Sequence, residues 1–332
     1  MLILNKPAIL LIFMVCVFSN FNIKAAIYNP LDISQAHAHR FETLDLSLDS
    51  KSHFRNLKVF IYLPEVQQPA PVILFSHGLG GSRKNNSFMG KHWSRRGYLA
   101  VFLQHPGSDD AIWKDLPKKK RLKALKDAAG LKNFMFRAKD VVDVLDQLER
   151  WNKQKGHELR GRIDISRVGM SGHSFGAITT QAVSGQQFNV IGQGLTDKRI
   201  KAALAFSPSK PAQGDTEEAF AAVKIPWMLM TGTKDLVSIG VQSLSSRLAV
   251  YPALPAGGKY ELVLYRAEHS AFTDSKLPGD TQDKNPNHHR LILALSTAFW
   301  DTWLKEQANA KEWLHGDDAI SLLETEDTWQ MK

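Results

Sequence analysis

The chain has 332 residues, 43% of them hydrophobic and 23% charged, a balance that excludes disordered, fibrous and collagen-like classes. Its length allows one large α/β domain or two small ones, and such a chain buries enough core to fold without a disulfide or a structural metal. The net charge is +9, but no nucleic-acid-binding module accompanies it, so no nucleic-acid partner is expected.

Residues 1–26 read as a targeting segment. Lys6 supplies a positive start, Pro7 to Phe18 runs apolar, and the stretch ends in the small pair Ala25-Ala26. The apolar run is short for a bilayer span, so a cleaved signal peptide is the first reading and an uncleaved anchor the alternative. The expected organisation is a signal at 1–26 and one domain over 27–332, exported to the periplasm or secreted. Cys16 is the only cysteine and lies inside the signal. The mature chain then has no disulfide, thiolate metal site or cysteine nucleophile.

Leu44, Leu46 and Leu48 alternate with polar residues, as do Val59, Ile61 and Leu63, which predicts two half-buried antiparallel edge strands. Short continuous apolar runs follow at Val72-Ile73-Leu74-Phe75, Leu99 to Leu103, Val168-Gly169-Met170, Ala202 to Phe206, Trp227 to Met230 and Leu262-Val263-Leu264. Such runs suit strands buried on both faces of a parallel sheet. Between them lie helical patterns at Val141, Leu145 and Leu148, at Ala177 to Val183, and at Leu291 to Leu304. The alternation predicts a doubly wound, mostly parallel α/β sheet. The tail after Ala308 has no assigned role.

The stretch from Lys114 to Lys139 holds ten basic and two acidic residues. A structureless loop of that length is uncommon, so a helical insertion is expected over 106–139, forming a cap or lid. Leu122, Leu125 and Ala129 would share its apolar face. Lys118, Lys119, Lys120 and Lys123 would present charge to solvent or to an anionic membrane surface.

Gly172-His173-Ser174-Phe175-Gly176 sits between a strand pattern and a helix pattern. That context is the strand–turn–helix of a nucleophile elbow, in which glycines two residues either side make room for a strained serine. A hydroxyl needs a base to attack. Asp235 and His269 follow in the expected order, each just past a strand pattern. His288 and His289 read as surface or capping residues at the start of the last helix, while Asp215, Asp274 and Asp280 read as loop residues. The N–H of Phe175 and that of Leu79, in Ser76-His77-Gly78-Leu79-Gly80-Gly81, are the candidate oxyanion donors, with Gly78 an alternative to Leu79.

Those two motifs, with His105-Pro106-Gly107-Ser108, Gly161-Arg162-Ile163-Asp164 and Thr231-Gly232-Thr233-Lys234-Asp235, resemble the predicted dienelactone-hydrolase and platelet-activating-factor-acetylhydrolase-like branch of the α/β-hydrolases. The resemblance spans about residues 72–269. It implies the α/β-hydrolase fold and a cofactor-free serine carboxylic ester hydrolase of esterase or lipase type, acting on a lipid-like or short-chain ester. Dienelactone hydrolases use cysteine where this chain has Ser174. In the platelet-activating-factor enzymes the acid follows an earlier strand, which here ends Ala205-Phe206-Ser207-Pro208 without a carboxylate. Secreted polyester hydrolases and cutinase-like enzymes are more distantly similar. An acyltransferase using the same Ser174, Asp235 and His269, or a noncatalytic binding protein on the same fold, are the alternatives. The oligomeric state is not legible.

Overall fold

The computed structural model describes residues 28–34, 40–50, 55–188, 194–237, 239 and 243–332. The expected signal at 1–26 lies outside them. In chain order the elements are β1 (Phe41–Asp49), β2 (Asn56–Pro64), β3 (Ala70–Ser76), α1 (Ser87–Arg95), β4 (Leu99–Leu103), α2 (Lys118–Ala128), α3 (Leu131–Lys153), β5 (Ile163–His173), α4 (Phe175–Val183), β6 (Ile200–Phe206), α5 (Thr216–Phe220), β7 (Trp227–Lys234), α6 (Leu244–Leu248), α7 (Val250–Ala253), β8 (Lys259–Glu268), α8 (Pro286–Trp303), α9 (Ala308–His315), α10 (Asp317–Ile320) and β9 (Thr328–Met331).

Among the described residues the strands form one sheet in the order β1-β2-β4-β3-β5-β6-β7-β8-β9. β1, β2 and β4 pair antiparallel at one end, β3 to β8 run parallel, and β9 pairs antiparallel with β8 at the other end. The expected doubly wound, mostly parallel sheet is therefore present. β3 is buried along its whole length, and its alternate residues serve two cores, as the two-residue period of a strand requires. Ile73 and Phe75 pack with α1 and α8, through Trp93, Leu295 and Trp300. Val72 and Leu74 pack with α3 through Val141, Val144, Leu145 and Leu148.

Three sequence expectations need correction. The tail after Ala308 is structural: it supplies α9, α10 and the edge strand β9, where Trp329 stacks on Tyr260 at 5.7 Å between ring centroids. A four-residue strand is too short to show a period. His288 is not a surface residue but buried, and His289 stacks on Phe88 at 3.9 Å; Asn285 caps α8 instead, accepting from the Asn287 N–H.

The third correction concerns the basic segment. It is helical, as α2 and the start of α3, with the break at Gly130. The shared apolar face is not formed, because Leu122 stays 47% exposed and Ala129 is exposed. The face turned to the protein runs instead through Leu125 and the buried Ala128. Leu125 Cδ2 lies so near Gly80 that a Cβ there would be 2.6 Å from it, and the Trp113 indole donates to the Gly80 carbonyl at 2.7 Å. These two contacts seat the insertion on the loop after β3.

Candidate active site

Ser174, Asp235, His269 and the Leu79 loop all leave the carboxyl ends of parallel strands β5, β7, β8 and β3. Ligand sites of open parallel α/β sheets lie along that edge.

Ser174 turns the chain from β5 into α4 at φ 58° and ψ −115°, a backbone conformation non-glycine residues rarely adopt and one that functional turns hold under strain. The neighbouring glycines are required by close approach. A Cβ at Gly172 would collide with the Gly176 carbonyl, and one at Gly176 with the Ser76 carbonyl. The turn is thus pressed against β3, and Ser174 remains partly exposed at the helix N-terminus.

Asp235 and His269 are brought together. His269 Nδ1 is 2.6 Å from Asp235 Oδ1, and both residues are buried. Asp235 Oδ1 also lies 3.1 Å from Arg247 Nη2, while Oδ2 accepts from the Thr231 hydroxyl at 2.8 Å. Arg247 is itself locked, donating to the carbonyls of Asp235 and Ser207, each at 2.8 Å. Burial acts to raise the Asp235 carboxyl, but the His269 imidazole, the Arg247 guanidinium and the Ser207 hydroxyl outweigh it and hold it well below the usual carboxylate range. The carboxyl is therefore an anion at neutral pH and accepts a hydrogen bond from the imidazole Nδ1–H, the tautomer that leaves the lone pair on Nε2.

The other acids have separate tasks. Asp215 caps α5 through the Glu218 N–H. Asp274 accepts from the Ser87 and Phe88 N–H groups at the start of α1, and Asp280 accepts from the Leu277 N–H. Glu268, next to His269, is turned away onto Thr281 and Gln282.

The Leu79 loop lies against the serine: a Cβ on Gly78 would be 3.5 Å from the Ser174 Cβ. The Gly78 carbonyl, which shares a peptide plane with the Leu79 N–H, accepts from His77 Nδ1 at 2.6 Å and from the Gly81 N–H at 3.1 Å. Burial first, and then the Arg137 charge, hold His77 down at about 3, so it is neutral. Its Nε2 accepts from the His105 N–H, which fixes the tautomer that donates to Gly78. Among the described residues neither the Leu79 nor the Phe175 N–H has a protein acceptor. Both are free to donate to a ligand oxygen. Beside them Phe134, Met135, Phe175, Ile178 and Leu79 form an apolar cluster, so α3 contributes one wall.

The sequence pointed to none of Thr231, Ser207, Arg247, Arg137 or His77 as a partner of the site. Thr231 and His77 lay inside motifs already singled out. The two arginines carry no local signal, because the type is exposed by default.

A family model described as PETase, PET hydrolase-like, matches residues 128–280, a stretch that holds Ser174, Asp235 and His269 but not Leu79. Over those residues, a little under half of the chain, it is similar to this α/β-hydrolase family, which is related to the dienelactone-hydrolase-like serine esterases. A hydrolase acting on esters is the activity that this family carries. No curated protein matches the chain.

Proposed function

We propose that the protein is an exported serine hydrolase that cleaves carboxylic esters through Ser174, His269 and Asp235. The observation that carries this reading is the buried 2.6 Å contact between His269 Nδ1 and Asp235 Oδ1, on the sheet edge from which the strained Ser174 turn also leaves. The family match to a PET hydrolase-like group supports an ester as the bond cleaved.

In this mechanism His269 Nε2 takes the Ser174 hydroxyl proton as Oγ attacks the ester carbonyl carbon. The carbonyl π-electrons move to oxygen, and the N–H groups of Leu79 and Phe175 stabilise that oxyanion. Collapse expels the alcohol, which takes the proton from His269 and leaves an acyl-serine. Water then attacks with the same histidine as base, releasing the acid and restoring Ser174. Asp235 remains ionised throughout and stabilises the imidazolium. The cluster of Phe134, Met135, Phe175 and Ile178 suits the apolar part of a lipid-like or short-chain ester.

The signal-like residues 1–26 support export to the periplasm or beyond. Helix α2 is a surface by which the enzyme meets an anionic membrane. Lys118, Lys119, Lys120 and Lys123 are exposed beside Leu122 and the 61% exposed Leu131, and the helix is seated on the loop that bears Leu79.

An organophosphonate probe should label Ser174, read by mass spectrometry of the peptide, and Ser174→Ala should abolish both labelling and hydrolysis of nitrophenyl esters. A chain-length series of those esters, beside an amide and a phospholipid, defines the substrate class. Full activity in Ser174→Ala, or a label elsewhere, would overturn the proposal.

A further inference from the structure

Behind the Leu79 loop lies a second serine–histidine–aspartate chain. Ser76 Oγ is 2.9 Å from His105 Nε2, and His105 Nδ1 is 2.8 Å from Asp140 Oδ2. All three residues are completely buried, so no substrate reaches this hydroxyl. Burial holds His105 far below its ordinary value, and the neutral ring donates from Nδ1 to Asp140. Its Nε2 then accepts from Ser76.

Ser76 Oγ in turn accepts from Arg137 Nη2 at 3.0 Å. Arg137 is 1% exposed and donates in three further directions: from Nε to Thr179 Oγ1 at 3.1 Å, from Nη1 to Ser108 Oγ at 3.0 Å, and from Nη2 to the His77 carbonyl. Each hydroxyl passes its own proton onward. Thr179 donates to the Phe175 carbonyl at 3.0 Å, and Ser108 to the His105 carbonyl at 3.2 Å. The guanidinium carbon also lies 4.7 Å from the centroid of the Phe175 ring. One planar cation on α3 therefore grips both halves of the candidate oxyanion hole. It holds the loop after β3 through the His77 carbonyl, and the turn after β5 through Thr179 and the Phe175 ring.

We propose that Arg137 is a positioning residue for the oxyanion hole, setting the Leu79 and Phe175 N–H groups at a fixed separation. The proposal rests on the ester-hydrolase reading. Oxyanion stabilisation depends on donors held in place before the charge develops, and a misplacement of about an ångström can cost a hundredfold in rate. The two donors are nearly a hundred positions apart in the chain, so a side chain must span them. Arginine suits this task because its donors lie in one rigid plane; lysine offers a single swivelling point.

The test compares Arg137→Lys and Thr179→Val with the parent. Thr179→Val keeps the buried charge and removes the hydroxyl that accepts from Arg137 Nε and donates to the Phe175 carbonyl. Active sites are counted by complete organophosphonate labelling of a separate aliquot, and rates on unlabelled enzyme are divided by that count. The turnover per titrated site and KM are then measured on a nitrophenyl ester, with the Kd of a boronic acid that adds to the serine as a tetrahedral anion. For Arg137→Lys, kcat per titrated site should fall by about ten- to a hundredfold, with KM changed by less than about threefold and boronate affinity falling in step with kcat. Thr179→Val should shift the same quantities in the same direction by about three- to tenfold. If Arg137→Lys does not fold, Thr179→Val decides alone. Unlabelled enzyme that turns over at the parental rate per titrated site in the folded variants would overturn the role of Arg137, leaving only a part in stability. A parent that takes no label at Ser174 would overturn the ester reading itself, and this proposal with it.

Discussion

Asp235→Asn isolates what the buried carboxylate does for His269. The asparagine fills the same space, but its amide has two orientations. In one, nitrogen faces His269 Nδ1, forces the proton onto Nε2 and removes the base; this wrong tautomer accounts for losses of about ten-thousandfold in serine proteases. The surroundings of Asp235 oppose that orientation. Oδ1 is shared between His269 Nδ1 at 2.6 Å and the Arg247 donor Nη2 at 3.1 Å. An NH2 placed there would meet the guanidinium head-on. Oδ2 faces the Thr231 hydroxyl at 2.8 Å, which can turn to accept from an amide. The amide oxygen should therefore stay on the His269 side and preserve the tautomer, so that only the charge is lost. A unit charge about 4 Å from the imidazolium is worth about 4 kcal/mol at an effective dielectric of 20, or roughly a thousandfold in rate. Steady-state kinetics on a nitrophenyl ester should show kcat reduced by about that factor, with KM little changed. A loss under about tenfold would refute the assignment of Asp235 as the acid. A loss of about ten-thousandfold or more would refute the argument that Arg247 sets the amide orientation.

Glu261 gives a stability prediction with a definite sign. It is buried at the β8–β9 edge with Gln330 Nε2 at 2.6 Å, and burial pushes its carboxyl up to about 7. The unfolded chain releases this proton near pH 4, so the folded state binds more protons between those values and stability falls as pH rises through that window. Glu261→Gln should therefore raise thermal stability at pH 8 by about 1 to 3 kcal/mol and leave it little changed near pH 4; an equal effect at both values would contradict the assignment. On the membrane face, replacing Lys118, Lys119, Lys120 and Lys123 with glutamine should weaken binding to anionic liposomes by about tenfold or more at low ionic strength. Hydrolysis of a small soluble ester should be unaffected. Equal liposome binding by variant and parent across a salt series would leave α2 a solvated helix.

The parts of the molecule that could be read in advance are those that a local pattern dictates. The strands β3 to β8 are buried on both faces and announce themselves as apolar runs. Ser174 is marked by glycines that any other residue would drive into neighbouring carbonyls. Asp235 and His269, the candidate acid and base, were picked out because each lies just past successive strand patterns, and the structure brings their side chains to 2.6 Å. The strand β9 was not, since Thr328–Met331 is too short for a period and takes its structure from pairing with β8. The orientation of α2 also escaped, because Leu122, Leu125 and Ala129 satisfy a helical period as well as Leu125 and Ala128 do. What selects the second face is the surface it meets, Gly80, which lies about forty residues upstream.

The same limit explains the two arginines. Arg137 and Arg247 are buried, at 1% exposure each, and both donate to main-chain carbonyls at the carboxyl edge of the sheet: His77 for one, Ser207, Pro208 and Asp235 for the other. Carbonyl oxygens converge there because parallel strands end together, and loops that must present side chains to a substrate cannot all pair their own backbone. A buried guanidinium satisfies several such acceptors at once, and desolvation makes each bond count for more than it would in water. The cost of burying the charge is offset only if acceptors of fixed geometry surround it, which is why each arginine sits where two loops meet. Two cationic joints thus lie behind the groups proposed to react. Arg247 ties the Asp235 loop to the turn at Ser207 and Pro208, and Arg137 ties the loop after β3 to the turn after β5. Removing either should alter turnover before it alters substrate affinity, because what each fixes is the spacing of groups that act on the transition state.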